Sequence, residues 1–469
     1  MNWVKKKNLP TIESILYEGQ SCNTLPDLWH ALHLSYNSAK NRPINASFLN
    51  KTPQADQILW LPFSKQEFKD AIAKCSSSLT PGPNYISWRY LKSLITNDRC
   101  LLKIIQIANM CIDLKFWPSY FKSSTIVVIP KPNKNNYNSP KSFQPIVLLN
   151  TIGKLIEKAI SNRLQFHLSA NGFLDSHQFR GIQQQSTTDA GIYLTHLIRA
   201  GWLRQCHTSV LAFDIAQFFP FLNHQFLSLC LKKAGLNTNI VRFFNSYHSN
   251  HSTSYSWNSF TFSPFNINVG VGQGSALFPI LSALYLAPII KTFKKRIENL
   301  NKEIPIDILS FVNDGLLISQ KKSYFLSNSF LLCSYNIISK ILIDTSLVME
   351  HNKTEVFYFI RAWYPPNPSI DLTSLGGSII NPKPIWRYLG FFFDRKLNFH
   401  YHTYFYATKY LSTLSTMKML GNFSHGILPM QKRLLYRTCI LPIALYGFNL
   451  WFFKGASIVR NINELKRMQ

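Results

Sequence analysis

Two acidic residues occur where a folded chain can bring carboxylates together. Asp214 ends the apolar run Ser209-Val-Leu-Ala-Phe-Asp, which predicts a buried strand. Asp314 stands in Asn313-Asp-Gly between two apolar runs, a pattern typical of a tight hairpin, and we expect it at the hairpin tip. The two acids can then converge on one edge of a sheet, where carboxylates hold the divalent ions of phosphoryl transfer. Taken singly, Asp214 is also explained as a helix cap and Asp314 as turn chemistry.

The patterns around these acids alternate between strands and helices. Strand-like runs cover 124–130 and 209–215, and helical spacing or capping signals begin at Leu25, Ser64, Ile152 and Gln225. No repeat of about 20 to 50 residues occurs. The sequence therefore predicts an α+β fold in which helices back one sheet. The uncharged stretch 269–290 is long enough to cross a membrane, but its polar residues and prolines favour a buried core helix.

The charge balance indicates a polyanionic partner. Lysine and arginine number 50 against 22 aspartates and glutamates, a formal charge of +28, and nucleic acid explains so one-sided a balance better than solubility alone. A hydrophobic fraction of 46% excludes a disordered chain. The eight cysteines form no Cys-x-x-Cys pair and lack histidines at zinc spacing, so we expect neither a disulfide framework nor a zinc site. The first residues lack the apolar core of a signal peptide, and we expect an intracellular protein without a membrane partner.

An ordered series of short blocks gives the sequence a family resemblance. Between about residues 78 and 450 it resembles the reverse transcriptases of LINE-type, non-LTR retrotransposons, particularly the fungal ones. Each block alone is weak, but their number, order and spacing are specific. The blocks are Thr80-Pro-Gly-Pro-Asn-Tyr-Ile, Ile129-Pro-Lys-Pro-Asn-Lys, Lys141-Ser-Phe-Gln-Pro-Ile-Val-Leu-Leu-Asn, His177-Gln-Phe-Arg-Gly-Ile-Gln, Phe213-Asp-Ile-Ala-Gln-Phe-Phe, Gly272-Gln-Gly-Ser-Ala-Leu-Phe-Pro, Phe311-Val-Asn-Asp, Asn352-Lys-Thr-Glu and Tyr388-Leu-Gly.

The resemblance implies a right-hand polymerase fold. We expect fingers and palm from 61 to 395, with an antiparallel palm sheet backed by helices, and a helical thumb-like region from 396 to 469. The thumb-like region is basic and rich in aromatic residues, which suits binding to a nucleic-acid backbone. Because its helical pattern runs to the last residues, we expect it to be truncated. Residues 1–60 are expected to form an N-terminal extension with no assigned chemistry.

The resemblance also implies a two-metal active site. Asp214, the Ile215 carbonyl and Asp314 match the ligands of two Mg²⁺ ions, with Mn²⁺ as the alternative ion. Lys353 matches a lysine that protonates the pyrophosphate leaving group. The family's hairpin normally carries two aspartates, and Asn313 stands at the first of these positions. An amide can offer a carbonyl oxygen to a cation but removes a full negative charge, so Asn313 is expected to be a poor ligand.

Further residues match contacts to the nucleotide and the primer. Phe219 matches the aromatic gate that excludes a ribose 2′-hydroxyl, with an ordinary core phenylalanine as the alternative. Lys131 and Gln144 match triphosphate contacts, although the family usually has arginine at the second position. Gln273 and Gly274 match the loop that lies against the incoming nucleotide and template. The primer end is expected to be supported by Tyr388, Leu389 and Gly390. Three more residues depart from the family's pattern: Asn84 for aspartate, Arg180 for a small residue and Phe278 for serine.

Three functions remain open at this point. The first is an RNA-directed DNA polymerase that uses dNTPs to extend a DNA primer along an RNA template in the nucleus. The second is a catalytically inactive remnant that still binds RNA–DNA duplex; Asn313 and Gln144 favour it, since mutational decay removes such side chains. The third is an intron-maturase-like RNA-binding protein, which would share the palm but for which no DNA-binding or zinc-knuckle pattern is present.

Overall fold

The fold is taken from a computed structural model of the chain. It describes residues 14–36, 38–39, 42–131, 136–257, 260–261, 264–267, 270, 274–300, 306–361, 368–418, 426–452 and 459–468. These residues form both helices and sheets, which confirms the mixture predicted from the sequence.

The helices and strands follow in chain order. The helices are α1 (Leu25–Tyr36), α2 (Lys65–Ala73), α3 (Trp88–Leu94), α4 (Asp98–Asp113), α5 (Ser119–Lys122), α6 (Thr151–Ala170), α7 (Thr187–Leu203), α8 (His224–Lys233), α9 (Thr238–His248), α10 (Phe278–Leu300), α11 (Tyr324–Asp344), α12 (His400–Lys418), α13 (Pro429–Leu435), α14 (Leu441–Ala444), α15 (Phe448–Trp451) and α16 (Val459–Met468). The strands are β1 (Ile15–Tyr17), β2 (Gln20–Cys22), β3 (Ser123–Pro130), β4 (Phe143–Leu149), β5 (His207–Asp214), β6 (His251–Trp257), β7 (Phe260–Thr261), β8 (Phe265–Ile267), β9 (Ile306–Phe311), β10 (Asp314–Lys321), β11 (Glu355–Phe359), β12 (Ile370–Asp371), β13 (Ile379–Ile380), β14 (Ile385–Tyr388) and β15 (Phe391–Asp394). Short 3₁₀ turns lie at Ser47–Lys51, Pro140–Ser142, His351–Lys353 and Thr373–Leu375, and a π-helical turn lies at Tyr436–Ile440.

Helix starts lie where short polar residues can satisfy the first backbone N–H groups. Ser64 and Glu67 form the predicted capping box of α2, in which the Ser64 hydroxyl accepts from the Glu67 N–H and the Glu67 carboxylate accepts from the Ser64 N–H. The Asn150 side chain caps α6 by accepting from the N–H groups of Ile152 and Gly153. These caps fix the residues at which the two helices begin.

The central sheet consists of β11, β5, β10 and β9 in that order, and all neighbours are antiparallel. Its two faces are both buried. Leu211 and Leu317 face the side covered by α10 and α11, whereas Val210, Leu316 and Ile318 belong to the core on the opposite side. Burial on both faces explains why these strands are nearly continuous apolar runs rather than alternating ones.

The predicted hairpin is present, but its tip is one residue earlier than expected. The two turn residues are Val312 and Asn313, and Asp314 is already the first residue of β10, paired with Phe311. Val312 has a φ of 64°, a conformation that a β-branched residue adopts only under strain. Asp314 lies in the sheet because its strand also pairs with β5, and this long-range pairing outweighs the local preference of Asn-Asp-Gly for the turn.

A glycine explains how the hairpin fits against the neighbouring strand. Gly315 pairs with Phe213 across the central sheet. A Cβ atom at Gly315 would lie 2.1 Å from the Phe213 ring. The sequence pattern assigned this glycine to turn conformation, whereas its structural role is to leave room for an aromatic ring.

The second sheet consists of β4, β3, β6 and β7 in order, with β8 paired to β6. Strand β3 is antiparallel to β4 and parallel to β6. The N-terminal hairpin β1–β2 and helix α1 pack on this sheet, where Trp29 stacks on Tyr255 with ring centroids 5.3 Å apart. The described part of the predicted N-terminal extension therefore contributes to this core, while the domain boundaries stay a prediction.

The C-terminal part of the described chain is helical and contacts the hairpin β14–β15. Leu389 (φ 49°) and Gly390 (φ 88°) form its two-residue turn, with both residues in the left-handed region that such turns favour. Helix α12 packs against α14, α16 and β15. The ring of Tyr446 stacks on that of Phe391 at a centroid distance of 4.9 Å. Aromatic contacts thus join the helical region to the hairpin.

Two long apolar helices line the core. The stretch predicted as a buried helix contributes to α10, in which Ile280 to Ile290 are buried. Among the described helices, α11 is long and apolar enough to cross a membrane by length and composition. It packs against β10, β5 and α10, as core helices of the same composition do.

One edge of the central sheet is covered by an extended segment. The Ser310 N–H donates to the His177 carbonyl and the Ser310 carbonyl accepts from the Phe179 N–H, both at 2.9 Å. Asp175 anchors the segment: its carboxylate accepts from Lys294 at 2.8 Å and contacts the His177 ring at 3.1 Å. Burial would raise the pKa of Asp175, but hydrogen bonds from His177 and Lys294 hold it well below its usual range.

Candidate active site

The two acids predicted to converge are direct neighbours. Asp214 is the last residue of β5, Asp314 is the first residue of β10, and the antiparallel ladder pairs them with each other. Residues opposite each other in such a ladder project from the same face, with Cβ atoms about 4.5 to 5.5 Å apart. Burial and the nearby Asp214 raise the pKa of Asp314 to about 6, against the opposing charges of Lys353 and Arg180. The strand edge therefore concentrates negative charge that a cation would relieve.

Asn313 donates a hydrogen bond to one of these carboxylates. Its Nδ2 lies 2.6 Å from Oδ1 of Asp214 and 3.4 Å from Oδ1 of Asp314. The amide nitrogen is thus placed between the two acids, where it stabilises their charges as a donor rather than adding a third carboxylate. Rotation of the amide group would instead present its oxygen to a cation at the same place.

Lys353 is brought to the site by the segment after α11. An isolated β-bridge joins Ile215 to Met349, and the Glu350 N–H donates to the Asp214 carbonyl at 2.8 Å. The following 3₁₀ turn places Lys353 Nζ 2.5 Å from Asp214 Oδ2. Both carboxylate oxygens of Asp214 therefore have partners. The Lys353 side chain is 59% exposed, so this ion pair contributes little to stability and is open to exchange for another cation.

The residues present supply part of a divalent-ion site. Asp214 and Asp314 provide two hard carboxylates, and the Ile215 backbone follows directly on Asp214, with its N–H donated to the Asn313 carbonyl at 2.9 Å. Within the described ranges no three His, Cys, Asp or Glu side chains are grouped to hold a metal ion. This donor set fits divalent ions that also take oxygen ligands from a nucleotide and water, as magnesium sites commonly do.

Lys131 and Gln144 lie at the same end of the second sheet. Gln144 is exposed on β4, opposite Ile129 of β3. The Lys131 N–H, just after β3, donates to the Ser142 carbonyl at 2.9 Å, which keeps the two strand ends together. Both residues predicted to contact the triphosphate therefore lie at the same end of two paired strands, and their roles stay predictions.

The segment around Gly274 lies between the second sheet and Phe219. Gly274 has a φ of 148°, and a Cβ atom there would lie 2.2 Å from the Val147 carbonyl oxygen of β4. On the other side, the rings of Phe219 and Phe278 are 4.1 Å apart. Phe219 is partly exposed and also packs against the main hydrophobic core, so its role as a gate stays a prediction. Gln273 lies outside the described residues.

The hairpin β14–β15 brings Tyr388 within electrostatic range of Asp314. Burial raises the pKa of Tyr388, and the charge of Asp314 raises it further. The turn carbonyls are held by the helical region: Leu389 accepts from the Tyr446 hydroxyl at 2.6 Å and Gly390 accepts from the Tyr406 hydroxyl at 2.9 Å. Of the three residues predicted to support the primer, Tyr388 thus interacts with Asp314, and Leu389 and Gly390 are hydrogen-bonded to the helical region.

Arg180 is a site residue whose location the sequence did not indicate. It was noted only as a departure from the family's pattern. In the structure its guanidinium lies 5.5 Å from the centre of the Phe311 ring and its charge lowers the pKa of Asp314. No local pattern could show this, because the contact depends on the extended segment that covers β9.

The sequence of the chain also matches known proteins. A family model described as reverse transcriptase (RNA-dependent DNA polymerase) matches residues 129–393. The probable RNA-directed DNA polymerase from transposon BS of Drosophila melanogaster is 24% identical over 89% of this chain and 45% of its own length. The RNA-directed DNA polymerase from mobile element jockey of the same organism is 23% identical over 86% of this chain and 43% of its own length.

A third relative extends the comparison to another insect. The retrovirus-related Pol polyprotein from type-1 retrotransposable element R1 of Bradysia coprophila is 22% identical over 84% of this chain and 38% of its own length. The chain thus spans less than half the length of each of these relatives. Since the family model covers more than half of the chain, this protein belongs to the reverse transcriptase (RNA-dependent DNA polymerase) family.

Proposed function

We propose that the chain is the polymerase part of a LINE-type retrotransposon protein and acts as an RNA-directed DNA polymerase. It would extend a DNA primer along an RNA template with dNTPs, by nucleotidyl transfer onto the primer 3′-hydroxyl. The observation that carries the proposal is the direct pairing of Asp214 with Asp314 at one strand edge. The +28 formal charge supports RNA–DNA duplex as the partner.

In this proposal the central sheet is the palm, the second sheet belongs to the fingers and the helices after residue 396 are the thumb. The Asp214 and Asp314 carboxylates and the Ile215 carbonyl would hold two Mg²⁺ or Mn²⁺ ions. Such ions supply charge stabilisation to the attacking and leaving oxygens. The two carboxylates orient this charge because each is fixed at a strand end.

Other residues bind and orient the substrates. Lys131 and Gln144 would contact the triphosphate, while Gln273 and Gly274 would lie against the incoming nucleotide. Phe219 would exclude a 2′-hydroxyl by contact. Lys353 would release a proton to the leaving pyrophosphate, which its position beside Asp214 and its exposure support. The primer end would rest on the turn formed by Tyr388, Leu389 and Gly390.

A second candidate is an inactive protein that still binds primer–template duplex. The observation that favours it is the contact of Asn313 with Asp214, because the amide takes a place where the family has a carboxylate. The ammonium group of Lys353 already neutralises the negative charge at the other carboxylate oxygen of Asp214. Such a protein would keep the fold and the positive charge without the metal affinity that catalysis requires.

Primer extension with a binding control separates the two candidates. Oligo(dT) annealed to poly(rA) is incubated with dTTP and Mg²⁺, and the Asp214→Ala variant serves as control. Extension that disappears in Asp214→Ala supports the polymerase and contradicts the inactive candidate. Absence of extension together with intact binding to the RNA–DNA duplex supports the inactive candidate. The fungal subtype and a nuclear location belong to the same proposal and rest on the sequence resemblance.

A further inference from the structure

Helix α6 carries a buried carboxylate, Glu157. Glu157, in the middle of α6, is 3% exposed. Its Oε1 accepts from the Tyr247 hydroxyl of α9 at 2.9 Å. Its Oε2 accepts from the Ser275 hydroxyl and from the Ala276 N–H, both at 2.8 Å. Burial raises the pKa of Glu157, and these hydrogen bonds with the charge of Lys154 oppose the rise.

The donors that converge on Glu157 fix one short segment. Ser275 and Ala276 directly follow Gly274, and the Ser275 hydroxyl oxygen accepts from the Leu277 N–H at 3.1 Å. The Tyr247 hydroxyl lies 3.0 Å from the Ser275 hydroxyl, and the two converge on the same carboxylate, to which each donates its one hydrogen. Two helices that are remote in sequence thus hold the residues leading into α10.

The other end of this segment has no freedom to shift towards β4. A Cβ atom at Gly274 would lie 2.2 Å from the Val147 carbonyl oxygen, so the backbones are already in contact. Val147 is three residues after Gln144 on the same strand. The segment is therefore hydrogen-bonded to Glu157 and in contact with β4, the strand that carries Gln144, a residue predicted to contact the triphosphate.

We propose that Glu157 is a positioning residue for the nucleotide-contacting loop, which it holds against β4 through Ser275 and Ala276. The inference rests on the proposed function, in which Gln273 and Gly274 contact the incoming nucleotide. Glu157 touches no substrate itself. Its carboxylate acts by pre-forming the loop, so that nucleotide binding does not have to order it.

A buried carboxylate is an unusual choice for packing alone. An apolar side chain in the middle of α6 would fill the same space without the desolvation penalty of a buried acid. Glu157 instead accepts three hydrogen bonds, from the Tyr247 and Ser275 hydroxyls and from the Ala276 N–H. Replacement by leucine removes every acceptor at similar volume, and replacement by glutamine keeps the shape and part of the hydrogen bonding.

Amide hydrogen exchange tests whether Glu157 holds the segment from Gly274 to Leu277, a contact that we call the tether. The measurement does not require catalysis. We expect the Glu157→Leu variant to exchange the amides of Ala276 and Leu277 at least tenfold faster than the parent, with β5 amides unchanged. Glu157→Gln should give a smaller increase, and Ser275→Ala, which removes a single hydroxyl, covers the case in which the leucine variant does not fold. Asp175→Asn, a change at another buried carboxylate, is the matched control and should leave these amides unaffected. Unchanged exchange of both amides in folded Glu157→Leu overturns the tether. If that variant does not fold, unchanged exchange of both amides in Glu157→Gln and in Ser275→Ala overturns it.

Nucleotide kinetics test the positioning role. In the parent, or in the Asn313→Asp background if only that variant polymerises, Glu157→Leu should raise KM for dTTP about tenfold, with kcat within about threefold. Glu157→Gln should recover most of the parent KM. Faster loop exchange without a change in KM overturns the positioning role while leaving the tether established. If no variant extends a primer and dTTP does not protect the loop from exchange, the proposed function is wrong, and so is the role of Glu157 in nucleotide binding. The exchange rates of the variants would still show whether Glu157 holds the loop.

Discussion

Replacement of Asn313 by aspartate tests the chemistry at the strand edge most directly. In the structure the Asn313 amide nitrogen is 2.6 Å from one carboxylate oxygen and 3.4 Å from another. Asn313→Asp exchanges this donor for a third carboxylate. The hydrogen bond to Asp214 is lost, and the metal-free site gains a negative charge, which the charges of Lys353 and Arg180 oppose.

The size of the effect of Asn313→Asp on stability and on rate can be worked out from the added charge and its distance from the other carboxylates. Two unit charges about 4 Å apart interact by about 4 kcal/mol at an effective dielectric constant of about 20. Without a divalent ion this repulsion destabilises the folded protein and raises the pKa of Asp314 further. With the ion bound, the same charge attracts it. If a comparable energy stabilises the transition state, the rate of nucleotide addition rises about a thousandfold.

The assay is single-turnover addition of dTTP to oligo(dT) on poly(rA), with Asn313→Ala as matched control. Alanine removes the donor without adding charge, so we expect it to show no gain. We also expect Mg²⁺ to raise the melting temperature of Asn313→Asp more than that of the parent. Equal rates for parent and Asn313→Asp, or an equal gain in Asn313→Ala, would refute the charge argument.

Three further predictions test other parts of the site. In a polymerising background, Phe219→Val should raise the ratio of rNTP to dNTP incorporation by about 10- to 200-fold, because the smaller side chain leaves room for a hydroxyl; an unchanged ratio contradicts the gate. Tyr446→Phe removes the hydroxyl bound to the Leu389 carbonyl and keeps the ring on Phe391, so urea denaturation should show a loss of about 1 kcal/mol. Burial lowers the pKa of His402 to about 4, below its value of about 6.5 in the unfolded chain. The free energy of unfolding should therefore fall by roughly 3 kcal/mol as pH falls from about 6.5 to about 4. The loss should be smaller in His402→Gln, which lacks the titrating group.

Local sequence patterns were sufficient to predict the strand and the hairpin that carry the two acids. An apolar run ending in Asp214 and a second pair of runs around Asn313 predicted a strand and a hairpin, and both are present. The capping box at Ser64 was also predicted correctly. These features depend on residues a few positions apart, and for such features turn chemistry and hydrophobic periodicity are informative.

Long-range contacts were beyond such reasoning. The hairpin tip was placed one residue too late because pairing with β5 is not visible in the hairpin's own sequence. The contact between Glu157 and Ser275 joins residues 118 positions apart. The packing of Trp29 on Tyr255 similarly depends on the assembled second sheet. The roles of the site residues stay predictions, because the structure shows which side chains lie close together and not which of them take part in a reaction.

The extended segment over β9 also has a consequence for the solution behaviour of the protein. An open strand edge is a template on which another chain can add, and apolar edge strands are prone to aggregate. The hydrogen bonds of Ser310 with His177 and Phe179 occupy part of that edge. The pair of Asp175 and Lys294 keeps the segment in place. Expression fragments that begin after Phe179 would therefore uncover β9 and favour self-association over folding.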